Sequence, residues 1–239
     1  MMTPFKGIIF DFNGVLLWDE PLQVQIWNEV AVQVRGRAFT KEELALHLHG
    51  RTNHYVIEYL SGHAVDRKIV DTLTRQKEAH YLRMCLTEWQ DFKLSPGAVE
   101  LLDFLVAHDI PRTIATSSPK GNVGFFITHL SLARWFLSEQ IVYDDGSRPG
   151  KPAPDTYLQA AKNLGLAPAD CVVVEDARSG IRAAFAAGIG YIVALGPAHT
   201  HAQLRQIEGV DEVIESLEAL PREKLFSASH GERISRTRD

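Results

Sequence analysis

The chain has 239 residues, of which 45% are hydrophobic and 23% are charged, and this length suits one large domain or two small ones. Its formal net charge of −5 gives no indication of binding to nucleic acid or to an anionic membrane. No apolar stretch approaches the length of a membrane span, and no export signal precedes the first predicted strand. Cys85 and Cys171 stand alone, which favours buried, reduced thiols over a disulfide. We therefore expect a cytoplasmic globular protein, monomeric or weakly homo-oligomeric.

The first predicted element is a short strand that ends in a carboxylate. Residues 8–10 form an apolar run, which is typical of a strand buried on both faces. A buried strand of a parallel sheet delivers the residue after it to the crevice where ligands bind, and that residue is Asp11. Gly14 then allows the chain to turn sharply away.

The next stretch, residues 17–90, has helical periodicity and no clear strand. Apolar residues recur every four positions from Leu22 to Val34, Thr40 and Glu43 form a capping box, and a long polar helix is predicted over 65–85. Trp18, Asp19 and Glu20, at the start of this stretch, are candidates for contact with substrate, but helix entry is an adequate explanation for them. Because the stretch interrupts an α/β pattern, we interpret residues 17–91 as an inserted all-helical cap domain, with hinges near 16–18 and 90–95.

Strands and helices alternate in the remainder of the chain. Strands are predicted at 113–115, 140–143, 171–174 and 191–195, with a short sixth at 213–214. Helices are predicted at 98–108, around 125–127, at 155–164 and at 180–187. This alternation predicts an α/β fold, a Rossmann-like doubly wound parallel sheet formed by residues 1–16 and 92–226. Residues 227–239 are predicted to be a mobile tail.

Four polar groups lie at or just beyond the ends of predicted strands. They are Asp11 with Asn13, Thr116 to Ser118, Lys151, and Glu175 with Asp176. Because the carboxyl ends of parallel strands meet at one edge of the sheet, these groups can converge. Clustered carboxylates suit Mg²⁺, and a hydroxyl beside an ammonium suits a bound phosphate. Each group alone is explained equally well by a turn or a helix cap; their shared position at strand ends favours a common site for phosphoryl transfer.

The same four segments resemble the motifs of the haloacid dehalogenase (HAD) superfamily. Asp-Phe-Asn-Gly-Val resembles its nucleophile motif, with Asn13 where the family usually has a second Asp. Ile-Ala-Thr-Ser-Ser, Gly-Lys-Pro-Ala-Pro-Asp-Thr-Tyr and Val-Val-Val-Glu-Asp resemble the second, third and fourth motifs. The helical insert resembles the cap of the β-phosphoglucomutase and small-molecule phosphatase branch. The resemblance implies a Mg²⁺-dependent phosphatase that acts on a small phosphorylated metabolite, such as a sugar phosphate, through an aspartyl-phosphate.

The resemblance also implies a role for each matched residue. Asp11 would be the nucleophile and a metal ligand, and Asn13 would offer the metal its backbone carbonyl. The phosphate would be held by the Thr116 hydroxyl, the Ser117 amide and Lys151, which would bridge it to Asp11. Asp176 would bind Mg²⁺ directly, and Glu175 directly or through water. Arg51, in the predicted cap loop, is either a contact for the substrate or a solvated loop residue.

The departure at Asn13 bears on the chemistry, because in this family the second Asp is the general acid and base. An amide cannot exchange a proton at neutral pH, and loss of such a group typically costs roughly 10²–10⁴-fold in rate. Three explanations stay open: substrates with good leaving groups, a proton supplied by another group, or an inactivating change. We expect Asn13→Asp to raise the rate on sugar phosphates.

Several other functions compete with a phosphatase. A β-phosphoglucomutase-like mutase would need an acid and base at position 13 even more. A dehalogenase would leave Glu175 and Asp176 unexplained, and a phosphonatase would need a reactive cap lysine such as Lys68 or Lys77. A non-catalytic protein that binds a phosphometabolite is supported by Asn13 alone.

Overall fold

The predicted first strand, β1 (Gly7–Phe10), lies near the centre of a six-stranded sheet in the computed structural model, which describes residues 4–90 and 92–226. The strand order is β3-β2-β1-β4-β5-β6, and every pairing is parallel. The other strands are β2 (Arg112–Pro119), β3 (Val142–Asp144), β4 (Cys171–Glu175), β5 (Tyr191–Leu195) and β6 (Glu212–Ile214). The chain thus winds outward from β1 in both directions, which confirms the predicted doubly wound α/β fold.

The helices between β1 and β2 belong mainly to the predicted cap. They are α1 (Glu20–Arg35), α2 (Lys41–Glu43, continued by a π-helical turn over Leu44–Leu48), α3 (Asn53–Ser61), α4 (Arg67–Thr87) and, after the cap, α5 (Ala98–Ala107). The helices that follow β2 are α6 (Lys120–His129), α7 (Asp155–Asn163), α8 (Arg178–Ala186), α9 (His201–Leu204) and α10 (Arg222–Phe226). The predicted capping box is present, since Thr40 and Glu43 exchange both hydrogen bonds.

Three boundaries differ from the sequence-based expectation. The strand predicted at 113–115 continues through Thr116–Ser118 to Pro119, because Pro119 pairs with Asp144 of β3. β3 begins at Val142, two residues later than predicted, because residues 138–140 form a 3₁₀ turn. Helix α8 begins at Arg178 and not at Gly180, so it starts three residues after Glu175, close to the predicted site.

The apolar core has a layer on each face of the sheet. Ile8 and Phe10 of β1 point into one buried cluster and Ile9 into the other, as the two-residue period of a strand requires. A third buried cluster lies within the helical insert and includes Trp27, Leu48 and Val56.

Helices α1 and α4 of the insert join the cap to the core. They bury residues such as Leu22 and Tyr81 in the same cluster as the sheet, in addition to those in the third cluster. The division at residues 16/17 and 91/92 stays a prediction, and the predicted tail, 227–239, lies outside the described residues. Within the described ranges, the structure has no helix that is both long and apolar enough to span a membrane.

Candidate functional site

Lys151 connects the carboxylates that follow β1 and end β4. Its Nζ lies 2.6 Å from Asp11 Oδ1 and 2.6 Å from Glu175 Oε1, and it donates to the Ala115 carbonyl at 3.1 Å. The Lys151 side chain is fully buried. Four groups that the sequence places at separate strand ends are therefore brought together, as the parallel topology predicts.

Glu175 is held in place from several sides. Oε1 accepts hydrogen bonds from Lys151 and from the Tyr157 hydroxyl at 2.7 Å, and Oε2 accepts one from the Ala177 amide at 2.9 Å. Helix α8 packs so closely here that a Cβ at Gly180 would collide with the Glu175 carboxylate. Both oxygens thus accept hydrogen bonds and keep lone pairs, so Glu175 can bind a metal either directly or through water.

The Asp176 carboxylate makes fewer hydrogen bonds than that of Glu175 in the described part of the chain. Its Oδ1 is buried and has no hydrogen-bond partner among residues 4–90 and 92–226. Asp11, Glu175 and Asp176 each offer an oxygen within 4.8 Å of the others. Gly14 has a φ of +86° and lies so close that a Cβ there would collide with the Asp176 carboxylate. An unpartnered carboxylate oxygen in a cluster of oxygen donors fits a hard divalent cation such as Mg²⁺.

The electrostatics of this cluster also favour a cation. Burial raises the pKa of Asp11 to about 7, although the ammonium of Lys151 acts in the opposite direction. Burial, followed by the charges of Glu175 and Asp11, holds the pKa of Asp176 well above its usual value. Burial opposes the charge on Lys151, but Asp11 and Glu175 together keep its pKa above the ordinary value. One ammonium therefore faces three carboxyl groups, and additional positive charge would stabilise their ionised forms.

The polar residues of β2 lie beside this cluster. Thr116 is buried and its Oγ1 accepts a hydrogen bond from the Ser118 amide at 3.0 Å. The Ser117 hydroxyl donates to the Gly50 carbonyl at 2.9 Å. Thr116, Ser117 and Ser118 line one cavity together with Asp11 and Asp176. Thr116 and Ser117, two of the three predicted phosphate-binding residues, thus share a cavity with the predicted nucleophile. The third, Lys151, is fully buried and contacts Asp11 from outside the cavity lining.

The Asn13 side chain is paired on both sides. Its Oδ1 accepts from the Ser118 hydroxyl at 2.8 Å, and its Nδ2 donates to Asp19 Oδ2 at 2.8 Å. The same Asp19 oxygen accepts from Gln23 at 2.9 Å and from the Tyr81 hydroxyl at 2.7 Å. Burial raises the pKa of Asp19, although the hydrogen bonds from Gln23, Tyr81 and Asn13 act in the opposite direction. Position 13 thus lacks the carboxylate that the family usually has there, but the Asp19 carboxylate is in contact with the Asn13 side chain.

The loop between α2 and α3 covers the cluster. Besides the Ser117–Gly50 hydrogen bond, the Ser179 hydroxyl donates to the His49 carbonyl at 2.9 Å. Arg51 donates to the carbonyls of Lys151 at 3.0 Å and Leu46 at 3.3 Å. Arg51 is half-buried and also lines the cavity, and its contact with a substrate stays a prediction.

The cavity has an empty volume of about 690 Å³, which includes its opening to solvent. One side is formed by polar residues of the insert, which we term the cap wall: Gln23, Asn53, Lys77 and Glu78. Of the two candidates for the reactive cap lysine of a phosphonatase, Lys68 is exposed, whereas Lys77 is buried and paired with Glu78.

Sequence reasoning preferred helix entry as the explanation of Asp19, and it did not assign the cap wall to the site. Asp19 occupies the N-cap position of α1 but makes no capping hydrogen bond, so helix entry does not explain it. A signal was available for Lys77, because it falls on the buried stripe of α4 that includes Val70, Tyr81 and Met84. A charged residue on such a stripe indicates a specific partner or a ligand.

Comparisons with known proteins agree with these observations. The family model for haloacid dehalogenase-like hydrolases matches residues 5–188. The chain is 32% identical over 217 residues to hexitol phosphatase A of Escherichia coli (strain K12), covering 90% of this chain and 93% of that protein. It is 31% identical over 184 residues to a phosphorylated carbohydrates phosphatase of Thermotoga maritima, covering 77% and 82%. The crystal structure of a family IA, variant 3 HAD hydrolase from Entamoeba histolytica matches with a TM-score of 0.81 and 37% identity, covering 92% of this chain and 97% of that one.

Proposed function

This chain belongs to the haloacid dehalogenase-like hydrolases, in their small-molecule phosphatase branch, and we propose that it is a Mg²⁺-dependent phosphatase of sugar or sugar alcohol phosphates. The observation that carries the proposal is the arrangement around Lys151, which holds Asp11 and Glu175 at 2.6 Å in the cavity's acidic cluster. The names of the two phosphatase relatives support the substrate class.

In the proposed reaction, a carboxylate oxygen of Asp11 attacks phosphorus and the bond to the leaving oxygen breaks. The phosphoryl group is then on Asp11, and attack by water on phosphorus releases inorganic phosphate and restores the carboxylate. Lys151 balances negative charge on Asp11 and on the transferring group, while Thr116 and Ser117 hold phosphate oxygens. Asp11, Asp176 and the Asn13 carbonyl, with Glu175 directly or through water, would hold Mg²⁺, and the cation would supply positive charge that stabilises the phosphoryl oxygens.

The leaving oxygen also needs a proton, and Asn13 cannot supply one. Asp19 is the carboxyl group in contact with the Asn13 side chain, and it lines the same cavity. Of the three explanations left open by the sequence, a proton supplied by another group therefore gains a specific candidate.

The proposal is tested by phosphate release with Mg²⁺ from fructose 1-phosphate, acetyl phosphate and an aryl phosphate. We expect turnover of all three by the unaltered chain and a loss of at least about 10³-fold in Asp11→Asn, because the nucleophile is removed. A matched control is Asp155→Asn, which removes an acidic residue that follows Lys151 but is absent from the cavity lining.

The outcome separates the phosphatase from its main competitor. If no ester releases phosphate while the chain binds fructose 1-phosphate in a Mg²⁺-dependent manner, the chain is a phosphometabolite-binding protein and the proposed catalytic role of Asp11 is wrong. Conversion of glucose 1-phosphate into glucose 6-phosphate without net phosphate release would instead identify a mutase.

A further inference from the structure

The cap wall contains an ion pair that is almost completely buried. Lys77 and Glu78 are 5% and 8% exposed, and Lys77 Nζ lies 3.2 Å from Glu78 Oε1. Both side chains line the cavity that also contains Asp11 and Thr116. Removing charges from water is costly, so a buried ion pair generally adds little to stability. The position of this pair on a ligand cavity therefore indicates a role in substrate recognition.

Glu78 is fixed by donors from three elements. Its Oε1 accepts from Asn53 of α3 at 2.6 Å as well as from Lys77 of α4, and its Oε2 accepts from Asn122 of α6 at 2.7 Å. Asn122 is itself buried and belongs to the α/β part of the chain. The carboxylate therefore remains beside the Lys77 ammonium and cannot swing away without losing these bonds.

Lys77 is held equally firmly. Its Nζ donates to Gln23 Oε1 at 2.9 Å, and it lies over the rings of Trp27 and Tyr81, 5.1 and 5.3 Å from their centroids. The charge of Lys77 is thus balanced by Glu78, while its remaining N–H and the amides of Gln23 and Asn53 offer both donors and acceptors.

Building on the proposed phosphatase function, we infer that Glu78 is a specificity-determining residue that selects substrates with a neutral, polyhydroxylated leaving group over substrates with a second phosphate. Hydroxyl groups can donate to and accept from the amides and the ammonium of the cap wall. A second phosphate there would meet one carboxylate for the one ammonium, so its charge would not be compensated. Arg51 also lines the cavity, but it lies outside the cap wall, and two of its nitrogens donate to the carbonyls of Lys151 and Leu46.

The test compares fructose 1-phosphate with fructose 1,6-bisphosphate, which differ by one phosphate group. The measured quantity is the ratio of kcat/KM for the bisphosphate to that for the monophosphate. In Glu78→Gln, the Lys77 charge is uncompensated, and we expect this ratio to rise about tenfold. In Lys77→Gln, the Glu78 charge is uncompensated, and we expect the ratio to fall by a similar factor. Glu29→Gln, on the exposed side of α1, makes the same charge change outside the cavity lining and should leave the ratio within about twofold.

Shifts of opposite sign in the two variants support the inference, since general damage to the fold would affect both substrates alike. An unchanged ratio, or an equal loss of both activities, overturns it. The two variants are independent tests, so if one of them fails to fold, the ratio measured for the other still tests the inference.

The same two ligands are also titrated by calorimetry into Asp11→Asn, with and without Glu78→Gln. If binding shows the shift while the unaltered chain releases no phosphate, the proposed function fails and the assignment of Glu78 stands.

Discussion

At the level of single residues, Asn13 and Asp19 form a complementary pair. The amide donates to Asp19 and accepts from Ser118, so an amide satisfies both neighbours where a carboxylate would not. A carboxylate at position 13 would place two like-charged groups at about the 2.8 Å now spanned by a hydrogen bond. The sequence predicts that Asn13→Asp raises the rate on sugar phosphates. Because of this contact, we now expect the increase only when Asp19 is changed together with Asn13.

We expect the double variant Asn13→Asp/Asp19→Asn to turn over fructose 1-phosphate at least about tenfold faster than Asn13→Asp alone. The reason is that the exchange restores one carboxyl group and one amide in contact, with the acid at the position used by the family. Steady-state kcat is measured for both variants, with Asp19→Asn as the control for loss of the original carboxylate. Equal rates in the single and double variants would show that the two positions are not coupled.

The residues of the acidic cluster were predictable because parallel topology determines where strand ends meet. Asp11, Glu175 and Asp176 required only that the strands be found, whereas Lys151 lies in the loop between β3 and α7 and was assigned from its motif. Lys77 and Glu78 could not be assigned in this way, because their proximity to Asp11 depends on how α4 packs across the sheet edge. The Asn13–Asp19 contact likewise depends on the turn between β1 and α1, which a pattern of apolar residues does not describe.

At the level of elements, one carboxylate joins three parts of the helical insert. Glu43 accepts hydrogen bonds from Arg35 at the end of α1, from Arg37, from the Thr40 amide and from the Tyr59 hydroxyl of α3. These hydrogen bonds, led by that from Arg37, hold the pKa of Glu43 well below its usual range. The capping box was predicted from Thr40 and Glu43, but the arginine and tyrosine partners arise from tertiary packing.

We expect Glu43→Gln to lower the Tm of the chain, whereas Glu42→Gln, at its exposed neighbour, leaves the Tm nearly unchanged. Because the pKa of Glu43 is lowered on folding, its contribution to stability is fully present above the ordinary glutamate pKa. The contribution decreases gradually as the pH falls from that value through the lowered pKa of the folded chain. Thermal unfolding at pH 7 and pH 4 measures both effects. The difference between unaltered chain and Glu43→Gln should shrink at pH 4, and an equal difference at both pH values would contradict the role assigned to the charge.

At the level of the whole molecule, the sheet places three carboxyl groups around one ammonium in a buried position. The apolar core on both faces of the sheet gives the strands their positions, and the strand ends then crowd Asp11, Glu175 and Asp176 together. Folding therefore raises the pKa of Asp11 and Asp176 through burial. The structure thus carries an electrostatic cost at its centre that a bound divalent cation would offset.

The pKa of Asp11 determines how stability and Mg²⁺ affinity change with pH. Its pKa rises from 3.8 to about 7 on folding, so the folded chain binds a proton that the unfolded chain has lost, and stability from this group falls as the pH rises towards 7. Mg²⁺ binds the ionised carboxylates and competes with that proton, so its affinity should weaken up to about tenfold for each pH unit below 7. We therefore expect millimolar Mg²⁺ to raise the Tm, by roughly 5–10 °C at pH 8 if it is present at about 100 times its Kd, and by much less at pH 5.5.

Differential scanning calorimetry with and without Mg²⁺ at the two pH values measures this effect. Asp176→Asn should abolish most of the increase at pH 8, because it removes the carboxylate whose buried oxygen has no protein partner. An increase of the same size at pH 5.5 and pH 8, or one that survives in Asp176→Asn, would place the cation elsewhere on the chain. A pH-dependent increase that requires Asp176 would instead link the stability of the whole fold to the same carboxylates that we propose for phosphoryl transfer, because one set of strand ends determines both.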